Sequence, residues 1–310
     1  MKKKNNFLTN IGFGLLVALT RPFAILPLGF HRAVGRFLGW LLRVVFRYRV
    51  DVVMINLSRA FPEKKYDELK QISRRFYRHM ATLFCESFWF GGYGRNPKRL
   101  RKSGIVEITN PEFLNAYQDR GLCVYAMVSH MGNWELYGGM HDYAPEGELH
   151  MPENDLVVAY RRLSSPVWDK FMAWNRIAPC VDKKHFDGLV ESFGIMKYAF
   201  VNRHTPKLYL FITDQYPYSD SSKVPVKFFG IDTVSMDGAP ALAGLFKRPV
   251  CYMSMMMDEQ TGKYRITFKH VADNASEMKV EDILARYYAL VEEDIKAQPW
   301  NYLWTHKRWK

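Results

Sequence analysis

A chain of 310 residues, 48% hydrophobic and 24% charged, is long enough to bury a full core and too apolar for disorder. Its 44 basic residues against 31 acidic ones leave a net charge of +13, which points toward polyanions: nucleic acid, anionic lipid or an acidic carrier protein. The four cysteines, Cys85, Cys123, Cys180 and Cys251, form no CxxC pair, which argues against a zinc site or a disulfide framework and fits a reducing compartment.

The opening MKKKNNFLTNIGFGLLVALTRPF sets Lys2, Lys3 and Lys4 before an apolar run over residues 11–18. It resembles the start of a signal peptide with no small-x-small cleavage site behind it. Arg21 and Pro22 break the run short of the about 18–20 apolar residues of a clean span, so a span and a surface anchor both stay open. In HRAVGRFLGWLLRVVFRYR, at roughly 100° per residue, Arg32, Arg36, Arg43 and Arg47 share a stripe about 60° wide. Phe37, Leu38, Trp40, Leu41, Leu42, Val44, Val45 and Phe46 fill most of the remaining circumference. The pattern predicts a helix lying in a membrane interface, its arginines reaching phosphates; the alternative is a core helix with one solvated edge. Residues 1–50 are thus read as membrane-anchoring or interfacial helices, and residues 51–310 as one α/β domain.

Beyond Pro62, the residues Leu69, Ile72, Phe76, Met80, Leu83 and Phe84 keep helical spacing. From about Gly104 short β-rich runs alternate with helical ones. GIVEI, LCVYAMVS, DLVVAY, KLYLFITD, PVCYMSMMM and YRITFKHV read as strands. PEFLNAYQDRG, SSPVWDKFMAWNR, DGLVESFGIMKYAFVNR, GAPALAGLF and VEDILARYYALVEEDIKAQ read as helices, and a short helix is expected near Gly132. The alternation predicts a mostly parallel central sheet flanked by helices.

At the end of the second strand stands SHMGNWE. His130 and Glu135 are separated by four residues, a spacing that chance produces about once in this composition. It occurs three times, with His141–Glu146 and His150–Asp155 in a loop rich in Pro, Gly and charge. His130 differs by its place after a strand and before a helix, where parallel sheets carry their sites. Positions five apart on one helix diverge by about 140°, so a pairing needs the turn. With Gly132 permitting a tight turn, the Glu135 carboxylate is expected to fold back onto the imidazole. Such a pair would take a proton from an attacking hydroxyl while the carboxylate fixes the tautomer. No GxSxG is present, which favours direct attack over an acyl-enzyme. The alternative is a buried histidine satisfied by a nearby carboxylate.

SHMGNWE resembles the histidine–four residues–acid block of glycerolipid acyltransferases, in the form of the bacterial lipid A biosynthesis (late, secondary) acyltransferases. INLSRAFPEK, AYRRLSSPVWDKF, FITDQYPY, VKFFGIDTVSMDGAPALA and PWNYLWTHKRWK resemble further blocks of that family, in order along nearly the whole chain. The chain departs from the pattern at Arg162, where Pro is usual, at Met131, where Phe is common, and in the charged, proline-rich insert 141–154.

The resemblance implies an acyltransferase with His130 as general base and Glu135 as its partner. Arg161 would be a phosphate or oxyanion contact, Asp214 a polar group at the site edge, and Gly132 and Asn133 substrate-binding. Surface pairing for Arg161 and a cap or turn for Asp214 are the alternatives, and Phe228, Phe229 and Gly230 fit packing as well as binding. The acyl thioester would come on acyl carrier protein or coenzyme A, with no metal or redox cofactor. The carrier would dock on a basic rim including Lys307, Arg308 and Lys310. The acceptor would be a lipid A precursor, at an anionic membrane surface on the cytoplasmic face of the inner membrane. A lysophospholipid or aminolipid acceptor, or a membrane-surface binding protein without turnover, are the other readings. No nucleic-acid motif appears, so nucleic acid is not expected as a partner.

Overall fold

The computed structural model describes residues 2–218 and 221–310, with side chains from residue 7 onward; the side chains of Lys2, Lys3 and Lys4 lie outside the described residues. Five helices come first: α1 (Lys2–Ala24), α2 (Leu28–Val44), α3 (Val50–Ala60), α4 (Tyr66–Tyr93) and α5 (Pro97–Ser103). The remainder alternates as β1 (Val106–Ile108), α6 (Pro111–Gln118), β2 (Val124–Val128), β3 (Leu156–Tyr160), α7 (Pro166–Arg176) and β4 (Leu189–Glu191). Then follow α8 (Ile195–Val201), β5 (Leu208–Ile212), β6 (Val224–Phe228), β7 (Ile231–Ser235), α9 (Gly238–Phe246), β8 (Val250–Met257), β9 (Tyr264–Ala272) and α10 (Val280–Ala297).

Seven strands form one sheet in the order β1-β9-β8-β2-β5-β3-β4. The five from β8 to β4 run parallel, while β9 and β1 run the other way. β2 is central and buried on both faces, which is why VYAMV shows no polar alternation. The side chains of Tyr125 and Met127 enter one apolar layer with α3, α9 and α10, and those of Val124, Ala126 and Val128 enter the other with α5 and α6. The long α4 contributes to both layers, through Phe76 and Met80 and through Leu83, Trp89 and Phe90. This is the α/β architecture, mostly parallel and helix-flanked, that the sequence predicts.

Two expectations fail locally. DGLVESFGIMKYAFVNR is not one helix: Leu189–Glu191 adds an edge strand to β3, a 3₁₀ turn follows, and only Ile195–Val201 is α-helical. VKFFGIDTVS, given no element above, is the antiparallel hairpin β6–β7, turning at Phe229-Gly230.

Within the basic stripe of α2, Arg32 turns inward while Arg36 stays exposed. Gly35 and Gly39 lie on the same side of the helix and seat it against α4. A Cβ at Gly35 would stand 2.5 Å from the Thr82 Cα, and one at Gly39 would strike the Tyr77 carbonyl. Such small residues spaced by four let two helix backbones approach closely. Arg32 therefore turns inward, donating to Glu86 at 2.7 Å and to the Gly262 carbonyl at 2.6 Å. The apolar side of α2 is the outer one: Phe30, Phe37, Trp40, Val45 and Phe46 are exposed. On α1, Phe7, Leu8, Leu15, Leu19 and Phe23 are exposed as well. The 18 residues Phe7–Ala24 are long and apolar enough to cross a membrane by length and composition, although α1 also rests on α7, with Phe13 edge-on to Trp174.

Candidate active site

β2 and β5 are parallel neighbours in the register Val124↔Leu208 to Val128↔Ile212. Two residues beyond Val128 is His130, and two beyond Ile212 is Asp214. The register thus carries a histidine and an aspartate side by side off the carboxyl edge of the sheet. His130 Nδ1 lies 2.8 Å from Asp214 Oδ1. Asp214 is fully buried and His130 is mostly covered, its side chain 16% exposed. Burial opposes ionisation of Asp214, but the attraction and hydrogen bonding of His130, with the Tyr302 hydroxyl, outweigh it and hold the carboxyl below its ordinary range. A carboxylate only accepts, so Nδ1 carries the proton and Nε2 is the free base atom. Nε2 accepts from the Gln215 amide at 3.2 Å, a bond an incoming hydroxyl must replace.

Several contacts immobilise this pair. The hydroxyl of Tyr287, on α10, donates to the Val128 carbonyl at 2.9 Å, and that of Tyr288 to the Thr213 carbonyl at 3.1 Å. The C-terminal segment crosses the strand end: Met131 bridges Tyr302, the Leu303 amide donates to the His130 carbonyl, and the Gly132 amide donates to the Asn301 side chain. That segment is clamped by α3, where Asn56 donates to the carbonyls of Trp304 and His306 and Arg59 to that of Trp309. INLSRAF and NYLWTHKRWK, far apart in sequence, are therefore one structural unit under the histidine.

Glu135 does not pair with His130. The turn at Gly132, with φ +63°, leads into a 3₁₀ helix that begins at Trp134. Trp134 takes the place beside the imidazole, edge-on with ring centroids 4.9 Å apart. Glu135 is carried round to α7, where Arg176 Nε and Nη2 each donate to one carboxylate oxygen at 2.8 Å. Burial opposes the charge on Arg176, but Glu135 holds the guanidinium above its ordinary pKa.

Gly132 and Asn133 are buried and offer no surface to a substrate: the Gly132 amide is used by Asn301, and the Asn133 amide donates to Glu86 at 3.0 Å. Glu86, itself fully buried, also accepts from Tyr264 at 2.8 Å. Arg161 follows β3 on the same carboxyl edge, its guanidinium 3.9 Å from the Tyr218 ring centroid and 5.6 Å from that of Phe193. Arg308 leaves the proposed basic rim. It is buried, donating to Thr233, to the Val234 carbonyl and to Tyr288, while Lys307 and Lys310 remain exposed. Phe228 is core, stacked on Trp309. Over the imidazole lies a narrow, mostly apolar cleft, closed to anything as large as a water molecule and walled by Phe76, His79, Met80, Leu83, Trp134, Asn301, Tyr302 and Leu303.

Sequence reasoning gave Gln215 no role and placed Asp214 at the edge rather than on the histidine. The signal was present in FITDQ after a strand, but only the β2–β5 adjacency gives it meaning.

A buried carboxylate–imidazole pair among apolar side chains can deprotonate a hydroxyl brought to Nε2. The comparisons agree with that chemistry. The family model described as bacterial lipid A biosynthesis acyltransferase matches residues 1–310. The chain is also 23% identical over 308 residues to a lipid A biosynthesis acyltransferase of Haemophilus influenzae, an alignment that covers 96% of this chain and 90% of that protein. With the match running end to end, this chain belongs to the bacterial lipid A biosynthesis acyltransferases.

Proposed function

We propose that the enzyme moves a fatty acyl chain from an acyl thioester, carried by acyl carrier protein, to a hydroxyl of a lipid A precursor at the cytoplasmic face of the inner membrane. The observation that carries the reading is the His130–Asp214 pair, with Nδ1 on a buried carboxylate and Nε2 left as the base atom. The acceptor hydroxyl displaces Gln215 from Nε2, gives up its proton there, and its oxygen attacks the thioester carbonyl. The Asp214 carboxylate stabilises the imidazolium that forms. Collapse of the tetrahedral intermediate breaks the C–S bond, and the departing thiolate takes the proton back from Nε2. Arg161, on the same edge, contacts the developing oxyanion or a substrate phosphate. Glu135 acts through Arg176, fixing the loop that carries His130. Lys307 and Lys310 attract the acidic carrier. The reaction calls for no metal or redox group. The exposed apolar sides of α1 and α2 seat residues 1–50 in the membrane.

The test is acyl transfer by purified protein in detergent, with acyl carrier protein and coenzyme A thioesters in separate reactions. A lipid A precursor and a lysophospholipid pool serve as parallel acceptors, read by mass spectrometry. Acylation of the lipid A precursor from the carrier protein, abolished in His130→Ala at unchanged melting temperature, is the expected result. Acylation of a lysolipid instead would keep the chemistry and overturn the acceptor, and full activity in His130→Ala would overturn the mechanism.

A further inference from the structure

Beside the cleft over His130 lies a larger hollow of about 450 Å³, open to the surface. Its wall carries Arg32 and Arg36 from α2, Arg75 and Arg78 from α4, and Trp300. Two of the four guanidinium groups are neutralised: Arg32 by Glu86, and Arg75 by Glu259 at 2.7 Å while lying over the Trp300 ring. Among the described residues Arg36 and Arg78 have no acidic partner within ion-pair distance. Two positive charges thus face the hollow uncompensated.

The wall shared by the hollow and the cleft is His79, which lines both. It is 93% buried, and its Nε2 has no hydrogen-bond partner. Two guanidinium groups without acidic partners on one wall are the donor set of an anion site, and guanidinium forks suit a phosphate. The position selects the source of that phosphate. Arg36 stands next to exposed Phe37 and one turn before exposed Trp40 on α2, so an anion here lies at the level of a head group when those rings are in lipid.

We propose that this hollow binds a phosphate monoester on the head group of the lipid acceptor, held by Arg36 and Arg78 with His79 behind them. Its contact with the cleft through His79 lets the bound phosphate choose which acceptor hydroxyl reaches His130, a consequence that rests on the acyl-transfer reading above. Arg36 and Arg78 are exposed, so replacing both with Gln leaves the core intact.

The experiment is calorimetric binding of water-soluble dihexanoyl phosphatidic acid to the whole protein in uncharged detergent, beside dihexanoyl phosphatidylcholine and inorganic phosphate. The expected result is that the phosphatidic acid binds at least tenfold more tightly than either comparator, and that Arg36→Gln/Arg78→Gln loses that advantage at unchanged melting temperature. Equal binding by the double variant, or no preference for the phosphatidic acid over phosphatidylcholine, would overturn the site. Inorganic phosphate binding as tightly as the lipid would overturn the head-group assignment. In the transfer assay the double variant should raise the acceptor KM at least tenfold while leaving kcat nearly unchanged. Binding needs no turnover, so a protein that binds as expected but transfers nothing refutes the acyl-transfer reading and leaves the site standing.

Discussion

At the scale of single residues, two carboxylates compete for the same role, and backbone geometry separates them. Glu135 is five positions from His130 in sequence, yet its oxygens go to Arg176; Asp214 is 84 positions away and meets the ring at 2.8 Å. The sequence placed His130 correctly at a strand end and gave Gly132 its turn. It could not give the carboxylate, because the pairing depends on which strands are neighbours, and no local spacing encodes that. His79 shows a cost of the fold that can be measured. Burial drives its pKa from 6.5 down to about 3, so the folded protein keeps the ring neutral. Above pH 6.5 neither state is protonated. Between 6.5 and 3 the unfolded chain takes a proton that the folded one refuses, so stability falls as the pH is lowered, by about 1.4 kcal/mol per unit. Urea unfolding at pH 7 and pH 5 should show a loss about 2 kcal/mol smaller in His79→Leu than in the wild type; equal losses would show that the ring is protonated in the folded state.

At the scale of elements, long and strongly patterned segments were legible: α4, α10, and the apolar strands β2 and β8. The failures have local causes. β4 has three residues, too few to display a period of two, and it lies next to residues of good helical spacing. The β6–β7 hairpin turns on Phe229 at positive φ, where Asn or Asp is the usual signal. For α2 the apolar side does lie outward, but the spacing does not show that two glycines rather than large apolar residues form the packed side, with Arg32 turned in beside them. Gly39→Leu should therefore do more damage than its place on an outward-facing apolar helix implies. A side chain there meets the Tyr77 carbonyl and the Arg78 Cα, so the variant should lose about 1–3 kcal/mol or more and expose the α1–α2 segment to protease. Wild-type stability and protease resistance in that variant would contradict the packing.

At the scale of the whole molecule, the sheet edge that carries His130, the closed apolar cleft above it and the exposed apolar helices belong to one arrangement. Strands deliver His130, Asp214 and Arg161 to one edge of the sheet; α3, α10 and the C-terminal segment lock that edge; α1 and α2 turn their apolar sides outward. Removing two large apolar side chains from lipid costs roughly 1.5–3 kcal/mol each. Phe37→Asp/Trp40→Asp should therefore sediment with phosphatidylglycerol-containing vesicles at least a hundredfold more weakly than the wild type, and equal sedimentation would remove α2 from the membrane contact. The claim that joins the rest is that Asp214, not Glu135, orients the catalytic imidazole. The most direct measurement is the acyl-transfer rate of Asp214→Asn beside Glu135→Gln, each assayed below its own melting temperature. Asp214→Asn should fold and lose about 10²–10⁴-fold in kcat, whereas Glu135→Gln should melt earlier, through Arg176, and keep its kcat within about tenfold. A fully active Asp214→Asn, or a folded Glu135→Gln with the greater loss in kcat, would contradict the account.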